Sequence, residues 1–137
     1  MISFDAFVPV AGVPIYLQIL RYIQRGAAAG RIQNGDELPS RRVLSALLGV
    51  NPNTVQKAYR LLEEKGLIAS HTGAKSCMVL TDETVRAIRQ ELMESEVRTL
   101  VTAMRQTGAK MEDALALVGK LWDEAESGTW RVERGDS

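Results

Sequence analysis

The densest run of side chains able to do recognition chemistry lies between Asn51 and Arg60. There Val55, Ala58, Tyr59 and Leu62 recur at i, i+3, i+4 and i+7, which leaves Asn53, Thr54, Gln56, Lys57 and Arg60 on the outward or flanking faces of the same helix. Asn and Gln amides pair bidentately with adenine, Thr touches a thymine methyl or a phosphate, and Lys and Arg attract phosphates. Arg41 and Arg42 place two long cations upstream, and Thr72, Gly73 and Lys75 make a small basic turn downstream. Outward polar residues on any helix are ordinarily only a solvated face, and Gly73 fits any tight turn. The assignment therefore rests on the order in which these pieces occur. Catalytic chemistry has no such support: no nucleophile stands beside a base, no glycine loop cradles a phosphate, and the single Cys77 and single His71 make neither an intrachain disulfide nor a zinc site. No enzymatic activity and no cofactor are expected, although counting residues does not exclude a carboxylate metal site. A redox or metal switch through Cys77 and His71 has little to carry it.

The elements that position these residues follow from caps and breakers. Pro14 suits a first helical turn, and Ile15, Ile19, Ile23 and Ala27 follow at spacing four, so a helix is predicted to about Ala29, stopped by Gly30. Asn34, Gly35 and Asp36 make a turn before Leu38 and Pro39. Ser40 caps a short second helix with Val43, Leu44, Leu47 and Leu48 on one face, ended by Gly49. Asn51 and Pro52 read as cap and first residue of a third helix running to Lys65. Two helices joined by a turn of about three residues form a helix-turn-helix, whose second helix can lie in the major groove. Leu67 to Ser70 and Ser76 to Leu80 read as a hairpin with a glycine near its tip, small enough to approach the minor groove.

From Asp82 the pattern is a long helix with Val85, Ile88, Leu92, Leu100 and Met104 along one stripe. Thr107 and Gly108 separate it from a second helix carrying Met111, Ala114, Leu115, Val118, Leu121 and Trp122. The expected fold is mainly α with a small β wing: a winged helix-turn-helix domain over 1–80, a two-helix dimerisation hairpin over 81–126 and a polar tail over 127–137. The 137 residues carry no net charge, yet residues 1–80 hold nine Lys and Arg against five Asp and Glu, while residues 81–137 hold eight against twelve. Only the first, basic part suits a polyanion. No apolar run approaches the ~20 residues that span a bilayer, and Asp5 and Pro9 stand where a signal peptide would be basic and then apolar. A cytoplasmic chain with no membrane partner is expected.

The stretch from Pro14 to Leu80 resembles the DNA-binding domain of GntR-family regulators. The matching residues are Pro14-Ile15-Tyr16-Leu17-Gln18-Ile19, Gly35-Asp36-Glu37-Leu38-Pro39-Ser40, Leu48-Gly49-Val50, Asn53-Thr54-Val55 and Glu64-Lys65-Gly66-Leu67-Ile68. The string Asn51-Pro52-Asn53-Thr54-Val55 with a tail of only two helices is similar to the YtrA subfamily. The resemblance implies a sequence-specific dimeric repressor on an inverted repeat of double-stranded DNA, often controlling adjacent transporter genes. It implies contacts from Arg42, then Asn51, Asn53, Thr54, Gln56 and Lys57, then Thr72 and Gly73; the charges of Arg41 and Lys75 complete the set. Many relatives have arginine where this chain has Pro52 and Gln56, so the operator sequence does not carry over. A twofold operator needs a homodimer, and a hairpin of ~45 residues cannot bury two apolar stripes on itself. An unknown small-molecule effector could bind between the paired hairpins, but no cluster of polar residues marks such a site. The competing reading is a winged-helix protein-interaction module without DNA binding, which would show no salt-dependent affinity for DNA.

Overall fold

The computed structural model describes residues 1–70 and 75–128. In chain order it contains α1 (Ile15–Ala28), α2 (Arg41–Leu48), α3 (Pro52–Glu64), β1 (Ile68–Ala69), β2 (Cys77–Met78), α4 (Asp82–Gln106) and α5 (Met111–Ser127). These divide into two compact units, Met1–Leu92 and Met93–Ser137.

In the first unit α3 packs against α1, α2 and β1. Ile19 and Ile23 of α1, Leu38, Leu44 of α2, and Val55, Ala58 and Leu62 of α3 are fully buried. Each large aliphatic side chain in such a core contributes about 1.5–3 kcal/mol through removal from water. The α1 stripe read from spacing four is the inward one, with Ile15 at its half-buried margin. Gly26 allows a close approach on that side: a Cβ there would lie 2.5 Å from Cδ1 and 2.8 Å from Cγ1 of Ile32.

The face expected for α2 divides. Leu44 is buried and Leu48 partly so, but Val43 and Leu47 are 54% and 60% exposed, and Ser45 takes an inward position instead. Ser45 is inward because it locks the turn. Its Oγ donates to Val50 O at 2.7 Å, and Val50 N donates back to Ser45 O at 3.1 Å. Gly49 supplies the φ of 67° that lets the chain reverse between α2 and α3, a conformation with little penalty only for glycine.

The wing is built on an antiparallel pairing of Ile68 with Met78 and Ala69 with Cys77. A third segment joins its outer edge, since Glu37 bridges Cys77, Leu38 N donates to Ser76 O, and Met78 N donates to Asp36 O. The turn expected at Asn34 to Asp36 therefore leads into the sheet. The apolar leader is also structural. Ile2 and Phe4 are buried, Phe4 stacks on Tyr22 at 4.9 Å, and Ile2 N donates to Glu37 O. Gln18 straps the leader down, its Nε2 donating to Val10 O and Val13 O and its Oε1 accepting from Val10 N.

Thr81 Oγ1 accepts from Thr84 N at the start of α4. Ile88 is buried, and Val85 and Leu92 pack partly against the same core, so the first three turns of α4 extend the first unit past residue 80. Arg89 Nη2 donates to Ala28 O at 2.6 Å, placing a cation at the negative end of α1. In the second unit Met93, Val97, Leu100 and Val101 of α4 are exposed, as are Met111, Leu115, Leu117, Val118 and Trp122 of α5. No residue of α5 is buried, and Trp122, 65% exposed, holds its indole N–H on Glu126 Oε1. Among the described residues no helix is long and apolar enough to cross a membrane.

Candidate nucleic-acid interface

The recognition helix is set by its cap. Asn51 Oδ1 accepts from Asn53 N at 2.8 Å, and Pro52 occupies the first helical position, where the missing N–H costs nothing. This leaves the Asn51 side-chain NH2 available to a ligand. From that start the buried face of Val55, Ala58, Tyr59 and Leu62 dictates the opposite one: Asn53, Gln56, Lys57 and Arg60 are all exposed and recur at i, i+3, i+4 and i+7. Thr54 is half-buried at the edge of this stripe. Neither α2 nor α3 carries an acidic residue in its first turn, so no carboxylate there opposes an anion approaching either helix start.

The two arginines at the start of α2 part company. Arg42 is exposed. Arg41 turns inward: its guanidinium carbon lies 5.5 Å from the Tyr59 ring centre, and its Nη2 is 3.8 Å from Glu63 Oε1. Tyr59 ties the same corner from below, donating its hydroxyl to Pro39 O at 2.6 Å. Burial drives the Tyr59 hydroxyl far above the ordinary phenol range, with the Arg41 charge pulling weakly the other way, so it remains a proton donor. The effect is to fix the angle between α2 and α3, on which a helix-turn-helix depends.

Glu63 extends this tie to the wing, because its Oε1 also accepts from Ser70 Oγ at 2.8 Å, and Ser70 Oγ pairs with the buried Ser76 Oγ at 2.7 Å. One carboxylate thus joins α2, α3 and the turn-side end of the paired strands. Nothing in the local sequence marks it, since Glu63 follows the polar stripe as an ordinary surface acid. Lys75, on the turn side of the paired strands, is exposed with its Nζ 3.8 Å from Glu37 Oε2. Thr72 and Gly73 lie outside the described residues. Among the described residues no three His, Cys, Asp or Glu side chains gather into a metal-binding group, and Cys77 is a half-buried free thiol.

A helix-turn-helix with a sheet-based wing, presenting amides and cations from α3, defines the class: winged-helix transcription regulators that bind DNA. The chain belongs to the GntR family. The family described as bacterial regulatory proteins, gntR family, matches residues 15–76. The HTH-type transcriptional repressor YtrA of Bacillus subtilis is 30% identical, over 82% of this chain and 85% of its own. A GntR family transcriptional regulator from Listeria monocytogenes has a solved structure that superposes with a TM-score of 0.73 at 29% identity, covering 82% of this chain and 98% of that one. YtrA from Sulfolobus acidocaldarius, a GntR-family transcription factor, gives a TM-score of 0.53 at 32% identity, covering 72% and 99%. With 82% of the chain covered, the likeness to a YtrA-type regulator extends beyond the wing.

Proposed function

We propose that this chain is a dimeric repressor that binds an inverted-repeat operator, inserting α3 into the major groove. The observation that carries this reading is the exposed stripe of Asn53, Gln56, Lys57 and Arg60 on a helix whose other face is fully buried. In it, Asn53 and Gln56 face base edges, with Asn51 and Thr54 at the N-terminal end and margin of the same face. Arg42, Lys57 and Lys75 meet phosphates, and Thr72 and Gly73 enter the minor groove. Arg42 supplies the exposed cation of α2, while Arg41 braces α2 on α3.

The dimer rests on the apolar faces left open in the second unit. Met93, Val97, Leu100 and Val101, with Met111, Leu115, Val118 and Trp122, are too many large exposed side chains for a surface that meets only water. A second copy of the same hairpin buries them and sets two recognition helices about one DNA turn, ~34 Å, or a multiple apart. Naming of the Bacillus subtilis relative as a repressor supports the direction of regulation. The site of action is then the cytoplasm, where the chromosome lies.

The test is selection of bound sequences from a random duplex library by the purified protein, near physiological salt and again at higher salt. Enrichment of one palindrome, lost as salt rises, is expected. Salt-insensitive retention without enrichment would point to a protein-interaction module instead.

A further inference from the structure

The ammonium of Lys57 lies 4.0 Å from the centre of the Tyr16 ring. Tyr16 is the second residue of α1, half-buried and packed against the core, so its ring is a fixed platform. Lys57 stands on the exposed stripe of α3. The two helices are held together by Ile19, Ile23, Ala58 and Leu62, all fully buried, which sets the separation of ring and ammonium.

We propose that Tyr16 is a positioning residue for DNA binding, holding the Lys57 ammonium at the α1 edge of the recognition helix, where it meets a backbone phosphate rather than a base. This rests on the reading of α3 as the recognition helix. A lysine has four rotatable bonds, and ordering it costs free energy when a partner is bound. The negative face of an aromatic ring draws the ammonium to one place beforehand without neutralising it, so its charge remains available to phosphate. The location fixes the target. A helix in the major groove has base edges in front of it and the phosphate chains at its flanks, and the Tyr16 ring draws Lys57 to the flank that faces α1. Tyr16 thereby ties a residue of the family's opening motif to the chemistry of another element.

The experiment measures DNA affinity as a function of salt for the full chain carrying Tyr16→Phe, Tyr16→Leu, Tyr16→Met, Lys57→Ala, and the pairs of Lys57→Ala with Leu and Met at position 16. Each variant is checked for an intact thermal transition. Tyr16→Phe keeps the ring face and should bind as the parent does. Tyr16→Leu, or Tyr16→Met if the leucine variant does not fold, should lose about two- to fivefold in affinity for every sequence alike, with a shallower salt slope. Neither change should weaken binding further once Lys57 is alanine. If Lys57→Ala leaves affinity and slope unchanged, the reading of this face of α3 is wrong. If Lys57→Ala weakens binding but folded position-16 variants bind normally, or lose affinity equally without Lys57, the positioning role is overturned while the interface stands.

Discussion

Asn53 and Lys57 stand one turn apart on α3, yet their removal should be felt differently. Asn53 presents an amide near the helix N-terminus, so Asn53→Ala should relax preference at one base position in each half-site while leaving nonspecific affinity nearly intact. Lys57→Ala should weaken binding to all sequences similarly and lower the slope of log affinity against log salt by about one. Binding isotherms on matched and mismatched duplexes at several salt concentrations separate the two. If both substitutions leave affinity untouched, this face of α3 does not meet DNA. The stripe itself was legible in the sequence, because an apolar set at i, i+3, i+4 and i+7 determines what points away from it. The division of labour between Arg41 and Arg42 was not. Two adjacent cations look alike until tertiary packing brings Tyr59 and Glu63 to one of them. The same holds for Glu63, whose partners Arg41 and Ser70 come from other elements.

Among the elements, the three helices and the hairpin were readable from caps and breakers. The side chains of Ser40 and Asn51 do cap their helices, and Gly49 does make the turn between them. Periodicity failed on α2, since eight residues give too few turns to decide which of two adjacent strips is buried. The outcome was set by the Ser45 bond to Val50, which draws Ser45 inward and leaves Val43 and Leu47 exposed. Ser45→Ala should therefore cost about 1 kcal/mol in chemical denaturation, the worth of one partly buried hydrogen bond, though it replaces a polar side chain at an inward position. Unchanged stability would mean that Gly49 alone holds the turn. On α1, Gly26→Val should lower stability by about 1–3 kcal/mol, because the crowding against Ile32 outweighs the few tenths gained in helix propensity. A variant as stable as the parent would show that Ile32 can move aside.

At the scale of the whole chain, one apolar stripe on α4 serves two purposes. Val85, Ile88 and Leu92 complete the core of the first unit, whereas Leu100 belongs to an exposed face of the second. Sequence could lay out the stripe but not where its function changes, because that depends on where the first unit's core ends. Truncation should reveal the change. A chain ending at Leu92 should remain folded and be monomeric, with weak, largely nonspecific affinity for DNA. One ending at Leu80 should lose several kcal/mol more, since burying Ile88 alone is worth about 1.5–3 kcal/mol. Thermal denaturation of the two truncations compares them directly, and equal stability would remove α4 from the first core.

The most direct measurement is a titration of the selected palindrome, and of one isolated half-site, with the full chain, followed by sedimentation at two salt concentrations. A dimeric winged-helix regulator should place two protomers on each palindrome, bind the half-site far more weakly, and lose affinity steeply as salt rises. One protomer per palindrome with equal affinity for the half-site, or binding indifferent to salt, would contradict it.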